Sequence, residues 1–119
     1  MVVVLRSAVM PIAPTPEPPY VAVIFTTERS DDNEGYDATD ESMRALVEEQ
    51  PGFLGAESSS NGATGLTVSY WASEEDAKAW KAVAAHRAAQ ELGRQKWYRA
   101  YRLRIAHVDR DYGFEGTGG

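Results

Sequence analysis

The sequence has no cysteine and few histidines, which excludes several classes of site. Without cysteine, neither disulfide bonds nor thiolate metal ligands can stabilise the fold. The only two histidines are His86 and His107, and no H-x3-H or H-E-x-x-H spacing occurs, so we expect no metal centre. The apolar run V-V-V-L near the start is far shorter than the roughly 20 residues of a membrane span, and it does not resemble a secretory signal. We therefore expect a cytoplasmic protein with no membrane contact.

Positive charge is scarce in the first two thirds of the chain. Residues 1–76 contain 3 Lys/Arg and 14 Asp/Glu, whereas residues 77–119 contain 9 and 4. Because contacts to nucleic-acid phosphates need a positively charged protein surface, we do not expect a chain of net charge −6 to bind nucleic acid. The basic final third either attracts a small anionic or enolate-like ligand or pairs with acidic groups elsewhere in a dimer, and the composition leaves both open.

The length of 119 residues predicts one domain flanked by two terminal segments. Five prolines between positions 11 and 19 predict an extended arm over residues 1–19 that adds little to the core. The domain is predicted over residues 20–114, with a C-terminal extension at 115–119, and we expect Tyr112 and Phe114 to be anchored on a surface. Small domains bury a limited share of their surface, so we expect a second subunit to cover part of the apolar area.

The hydrophobic periodicity predicts four strands and two helices. The first strand is apolar on both faces, which is typical of a central strand. Ser73 and Asp76 form a capping-box pattern, and Asn61-Gly62 indicates a hairpin. The order β-α-β-β-α-β predicts an α+β, ferredoxin-like domain with an antiparallel sheet. The predicted elements are a strand at 20–27, a helix containing 36–47 and ending before Pro51-Gly52, strands at 53–60 and 66–71, a helix from 74 towards Gly93 and a strand at 97–109.

A known family shares this organisation. The stretch T-V-S-Y-W-A-S-E-E-D-A-K-A-W-K from Thr67, with R-I-A-H-V-D-R-D-Y-G-F near the end, resembles the antibiotic-biosynthesis-monooxygenase-like family over roughly residues 20–114. The resemblance implies a ferredoxin-like fold that pairs into a homodimeric α+β barrel. The superfamily includes cofactor-free monooxygenases, haem-degrading enzymes and many proteins of unknown function.

Three candidate residues lie on the second predicted helix. The pattern Trp80-x5-His86-x3-Gln90 resembles that of the family, with His86 and Gln90 one helical turn apart. Trp80 is either a core residue or a cavity wall that stacks on an aromatic substrate and offers its N–H. His86 is either the proton acceptor of a reaction near neutral pH or a histidine that hydrogen-bonds a neighbouring group. Gln90 is predicted to contact the substrate.

Three further candidates lie on the third and fourth strands. Tyr70 is predicted to line the helix-side core or a cavity within it. On the last strand, alternation places Tyr101 on one face and Tyr98 with Arg104 on the other. An arginine among aromatic residues can hold an enolate or phenolate oxygen, or it can bind a carboxylate across a dimer interface. We therefore name Arg104 with His86 as catalytic candidates, and Tyr70 and Tyr101 as substrate contacts.

These expectations lead to two functional hypotheses. The first is a monooxygenase that oxidises a small aromatic or quinol-like substrate. It needs no cofactor, because the deprotonated substrate itself passes an electron to dioxygen. The second is a non-catalytic dimer that binds a small ligand or serves a stress response. Haem degradation is disfavoured, because those relatives carry an asparagine on the first strand and a histidine about three turns after the tryptophan. Here residues 21–27 have no asparagine, and His86 follows Trp80 by six residues.

Overall fold

The computed structural model describes residues 12–32, 34–91 and 97–116, with the side chains of 85–91 outside that description. The four strands form one antiparallel sheet in the order β2-β3-β1-β4. This arrangement confirms the predicted α+β, ferredoxin-like fold. Within the described residues, no helix is long and apolar enough to span a membrane. The elements are β1 (Tyr20–Arg29), α1 (Tyr36–Val47), β2 (Phe53–Ser60), β3 (Thr64–Trp71), α2 (Glu74–Glu91) and β4 (Tyr98–Val108).

Local signals fix the turns between these elements. The Ser73 hydroxyl accepts a hydrogen bond from the backbone N–H of Asp76 at 3.1 Å, which caps the start of α2 as predicted. In the β2–β3 hairpin, Asn61 Oδ1 accepts hydrogen bonds from two backbone N–H groups of the turn, at 2.8 and 3.1 Å. Gly62 follows with a φ of 93°, a conformation that glycine adopts without strain. The capping of α2 by Ser73 and the hairpin are both confirmed.

The core lies on one face of the sheet, which we call the helix-side face. Val21 and Val23 of β1 and Trp71 of β3 are buried there with Ala77 of α2, and Trp71 is 0 % exposed. Trp80 of α2 stacks on Trp71 with ring centroids 6.2 Å apart. Burial of large aromatic surface makes this contact one of the attachments of α2 to the sheet, beside that of the buried Ala77.

The opposite face, which we call the open face, carries no helix among the described residues. Strand alternation places Ala22 and Ile24 of β1 there, and their partners include Tyr70, Val68 and Arg104. Both faces of β1 are apolar, as predicted, but only one is covered by the protomer's own helices.

The described part of the arm, residues 12–19, packs on the open face along β2. Ala13 is 8 % exposed, and its N–H donates to Glu57 Oε2 at 2.9 Å. Gly55 makes this approach possible, because a Cβ at that position would lie 2.9 Å from the Cβ of Ala13. The prediction that the arm adds little to the core is therefore wrong for its described part, while residues 1–11 lie outside the described residues.

The C-terminal segment is held on the same side. The hydroxyl of Tyr20 donates a hydrogen bond to the Asp111 carboxylate and accepts one from Thr15 Oγ1 at 3.1 Å. The bond to Asp111 is the main reason that the pKa of Tyr20 is raised, because the protonated phenol is the donor. Beyond Asp111, Tyr112 and Phe114 are 99 % and 89 % exposed. The prediction that these two rings are anchored on a surface of the domain is wrong for the protomer.

Deleting residues 1–16 is expected to lower the melting temperature by roughly 4 °C. The deletion removes the burial of Ala13 and the hydrogen bonds of Ala13 and Thr15, which together stabilise by about 1 kcal/mol after the entropy of ordering the arm. Differential scanning calorimetry measures the shift. As a control, Ile12→Ser replaces an arm side chain that is 74 % exposed and should leave the melting temperature within about 1 °C. An unchanged melting temperature after the deletion would contradict docking of the arm.

Candidate functional site

A cavity of about 210 Å³ lies between α1 and the helix-side face, near the end of the sheet where β1 finishes. Polar side chains from α1 and β2 surround it together with aromatic side chains from β1 and α1. The lining residues are Phe25, Thr27 and Arg29 of β1, Tyr36, Asp37, Asp40 and Arg44 of α1, Ser58–Ser60 of β2 and Gly65–Thr67 of β3.

Helix α1 forms the charged wall of the cavity. Tyr36, Asp40 and Arg44 recur every fourth residue, so they project from one side of the helix. The Arg44 Nε donates to Asp40 Oδ2 at 2.9 Å, and a terminal guanidinium nitrogen donates to Ser58 Oγ at 3.3 Å. These bonds link α1 to β2 and fix the orientation of a cation whose side chain is only 20 % exposed.

A second arginine lies at the end of β1. The Arg29 guanidinium carbon is 3.5 Å from the centroid of the Tyr36 ring, which is a close cation–π contact. The Tyr36 ring in turn meets Trp97 and Tyr98 edge to face, at centroid distances of 5.6 and 6.2 Å. Packing against these rings limits the motion of Tyr36 and keeps Arg29 at the cavity.

Aromatic rings continue from the cavity wall towards the surface. Phe25 lies 5.8 Å from Tyr98 and 5.5 Å from Tyr101, measured between ring centroids. Burial raises the pKa of Tyr98 well above its usual range, and the neighbouring Tyr36 raises it further. Tyr98 therefore stays protonated at neutral pH and acts as a hydrogen-bonding group rather than a base.

The floor of the cavity is rich in hydroxyl groups. Thr27 and Thr67 lie on neighbouring strands of the helix-side face, and Ser58 and Ser60 continue this row on β2. Gly65 leaves the floor open, because a Cβ there would lie 2.8 Å from Thr27 Oγ1. The cavity thus combines hydroxyl donors, aromatic walls and two arginines, which suits a small ring bearing oxygen substituents.

Two predicted site residues lie on the helix side of the sheet. Trp80 packs on Trp71 in the core and does not line the cavity, so its environment fits the core alternative. Tyr101 is 47 % exposed and touches the cavity only through Phe25.

The other two described candidates lie on the open face. The Tyr70 hydroxyl donates to Glu57 Oε1 at 2.8 Å, and its ring meets Tyr20 edge to face at 5.8 Å. Burial, followed by the bond to Glu57, raises the pKa of Tyr70. The prediction that Tyr70 lines the helix-side core is wrong, because its neighbour Trp71 occupies that side. Arg104, opposite Ile24, also points away from the cavity.

The structure changes one more placement and leaves two others undecided. Alternation along the last strand predicts Tyr98 on the same face as Arg104, but a register shift between Glu28 and Arg29 places it against Phe25 and Tyr36 on the helix side. His86 and Gln90 belong to α2, and their side chains lie outside the described residues. Their roles stay predictions. Across the described part of the chain, no three His, Asp or Glu side chains cluster as a metal site would require.

The sequence reasoning missed the three residues that define the cavity, namely Arg29, Tyr36 and Arg44. One signal for them was present, since Tyr36-x3-Asp40-x3-Arg44 places a ring, an acid and a base on one side of a helix. Arg29 could be found only by extending the alternation of the first strand two residues further.

Comparison with known proteins agrees with this fold. The profile of the antibiotic biosynthesis monooxygenase family matches residues 19–92. The chain is 46 % identical over 105 residues to the uncharacterized protein YqjZ of Bacillus subtilis, covering 87 % of this chain and 92 % of the relative.

Two solved structures share the architecture. SnoaB, a cofactor-independent oxygenase from Streptomyces nogalater, superposes with a TM-score of 0.62 at 11 % identity, over 77 % of this chain and 95 % of its own. MhuD, a heme-degrader from Mycobacterium tuberculosis with two hemes bound in its active site, gives 0.56 at 26 % identity, over 78 % and 99 %. The family profile covers more than half of the chain, and YqjZ matches most of it. The chain therefore belongs to the antibiotic biosynthesis monooxygenase family.

Proposed function

We propose that this protein is a cofactor-independent monooxygenase that oxidises a small aromatic or quinol-like substrate in the cavity beneath α1. The observation that carries the proposal is the placement of two arginines beside aromatic rings in one cavity. Family membership supports the reaction class, and SnoaB shows that this fold hosts cofactor-independent oxygenation.

The cavity offers a separate contact to each part of such a substrate. A flat ring packs against Phe25 and Tyr36, and the hydroxyl groups of the floor bond its oxygen substituents. Removal of a substrate proton leaves an enolate or phenolate, which the guanidinium groups of Arg29 and Arg44 stabilise. The role that the sequence suggested for Arg104 thus passes to these two residues in the proposal.

An anthrone-type methylene illustrates the chemistry. A base removes one proton, and the resulting anion passes one electron to dioxygen. The two radicals then combine into a peroxide. Loss of water from the peroxide gives a carbonyl, so one oxygen atom stays in the product and the other leaves as water. Because the substrate supplies the electrons, no cofactor is needed.

The proton acceptor is proposed from two candidates. The Asp40 carboxylate already accepts a hydrogen bond from Arg44, so it is less available than a free carboxylate to take a substrate proton. Asp37 also lines the cavity and is the first candidate. His86, suggested by the sequence, is the second. Asp37→Asn and His86→Gln distinguish them, because only loss of the true acceptor lowers kcat while the substrate Kd stays unchanged.

The proposed working form is a homodimer joined through the open face. Its support is the apolar character of both faces of β1, of which the protomer's described helices cover only one. The arm covers the β2 side of this face, but Leu66 remains 45 % exposed there, and a second copy that buries the remaining apolar surface stabilises the sheet.

Oxygen uptake with a panel of anthrones and quinols tests the proposed activity. Arg44→Gln should lower kcat/KM for an accepted substrate by about 100-fold, comparable to loss of one anion-stabilising donor. Arg99→Gln alters an exposed arginine of β4 that does not line the cavity, and it should leave the rate unchanged.

Two outcomes would contradict the proposal. Ligand binding without oxygen uptake across the panel would favour the non-catalytic binding dimer. Breakdown of added haemin with reductant would instead indicate the activity named for MhuD. We expect no haemin breakdown, because β1 has no asparagine.

A further inference from the structure

The tail, residues 109–116, leaves two large aromatic rings in solvent. Tyr112 is 99 % exposed and Phe114 is 89 % exposed, although each could bury considerable apolar area. The tail is not a free end at this point, because Asp111 is bonded to the hydroxyl of Tyr20. Tyr20 is itself 5 % exposed and contacts the ring of Tyr70 on the open face.

This anchor fixes the side of the sheet on which the rings lie. Asp111 meets the tip of a side chain from the open face, so the tail leaves β4 on that side. The exposure of the rings of Tyr112 and Phe114 means that they point away from their own protomer. A second copy facing the open face would therefore meet them first.

The open face offers chemistry that matches the tail. Arg102 and Arg104 of β4 lie there opposite Thr26 and Ile24, and both arginines are exposed. Leu66 on the same face is 45 % exposed. The tail carries one arginine and three acids, a net charge of −2, beside its two rings. Guanidinium groups bind both aromatic faces and carboxylates.

We propose that the tail of each protomer crosses to a second copy of this chain, where Tyr112 and Phe114 pack on Arg102 and Arg104. The inference rests on the proposed homodimer and assigns its contacts. In a two-fold dimer each contact occurs twice, since each copy places its tail on the open face of the other. Tyrosine and arginine are also among the residue types enriched at the positions that dominate interface energies.

Sedimentation equilibrium of three proteins tests the tail contact. The double variant Tyr112→Ser/Phe114→Ser removes both rings, and its dimer dissociation constant should rise at least about tenfold. The matched control Tyr112→Phe/Phe114→Tyr keeps two rings of nearly equal size, and its constant should stay within about twofold of the native value. Because all of these side chains are exposed in the protomer, circular dichroism should show an unchanged fold.

Mixing two weakened variants tests whether the contact is made between copies. The face variant Arg102→Glu/Arg104→Glu should dimerise as poorly as the double serine variant. In a heterodimer of the two, one of the two tail contacts is intact, so the mixture should associate more tightly than either variant alone, by about threefold if loss of both contacts costs tenfold. Absence of this rescue would overturn the inference.

The experiments distinguish an error in the proposed tail contact from an error in the proposed homodimer. A double serine variant that dimerises as tightly as the native protein would overturn the tail contact and leave the dimer in place. A native protein that is monomeric at micromolar concentration would overturn both, and the open face would then belong to a different partner or to solvent. Oxygen uptake by that monomer would show that the proposed reaction survives.

Discussion

Replacing Trp71 by alanine is expected to lower the free energy of unfolding by about 3–5 kcal/mol. Trp71 is 0 % exposed, and its ring lies between Phe53, at 5.4 Å, and Trp80, at 6.2 Å between centroids. Truncation removes the ring that joins β2, β3 and α2, and the surrounding backbone cannot close the space. Urea denaturation followed by circular dichroism measures the loss.

Trp80→Phe provides the comparison for this result. Trp80 is only partly buried and stacks on one side of Trp71, so the change should lower the free energy of unfolding by about 1–2 kcal/mol. It should leave the affinity for an aromatic ligand unchanged, because Trp80 does not line the cavity. Weakened ligand binding without loss of stability would place the site beside Trp80 instead, which is the cavity-wall alternative that the sequence left open for this residue.

Stability is also expected to fall steeply as the pH rises above about 10. The pKa values of Tyr70 and Tyr98 are raised in the folded protein, chiefly because burial disfavours the charged phenolate. Above pH 10 the same tyrosines in the unfolded chain lose their protons, so the folded state holds more protons than the unfolded state. The free energy of unfolding then decreases with pH, by at most about 1.4 kcal/mol per pH unit for each tyrosine, and by less for the more exposed Tyr70.

Tyr98→Phe isolates one contribution to this alkaline loss. The variant has no phenol to titrate at position 98, so its stability should fall less steeply between pH 10 and 12 than that of the native protein. Urea denaturation at pH 8, 10, 11 and 11.5 gives the two slopes. Tyr112→Phe changes a ring that is 99 % exposed, and it serves as the control with an unaltered slope. Equal slopes for the native protein and Tyr98→Phe would contradict the role of burial.

The fold was predictable because its signals are local. Ser73 and Asp76 cap α2 through bonds between residues three apart, and Asn61 with Gly62 closes the hairpin within one turn. The continuous apolar run of β1 distinguishes a central strand without knowledge of its neighbours.

The face of the sheet on which each side chain lies was predicted less well. Alternation shows which residues of a strand share a face, but it does not show which face the helices cover. Tyr70 and Trp71 are adjacent aromatic residues, and nothing local indicates which of them turns towards the helices. At Tyr98, one register shift against β1 reverses the expected face. Such a shift depends on how β4 pairs with β1, which lies about 70 residues earlier in the chain. The periodicity of a single strand contains no information on this pairing.

The arm and the cavity depend on contacts between distant segments. Docking of Ala13 needs the missing Cβ of Gly55 and the carboxylate of Glu57, more than 40 residues further on. The cavity likewise joins Arg29 at a strand end to Arg44 on a helix and Ser58 on another strand. Arginine and serine are common on any protein surface, so none of these residues stands out in the sequence. Only tertiary packing shows that they line one cavity.

The position of β1 in the sheet has a consequence for the newly made chain. Residues 20–29 emerge from the ribosome early, but one of the two strands that pair with them, β4, occupies residues 98–108. Until that strand appears, one edge of Y-V-A-V-I-F has no partner to complete its backbone hydrogen bonds. Uncharged strands with an open edge are templates for intermolecular pairing. The nascent protein is therefore most prone to aggregation until β4 has been made, and chains truncated ahead of β4 would remain in that state.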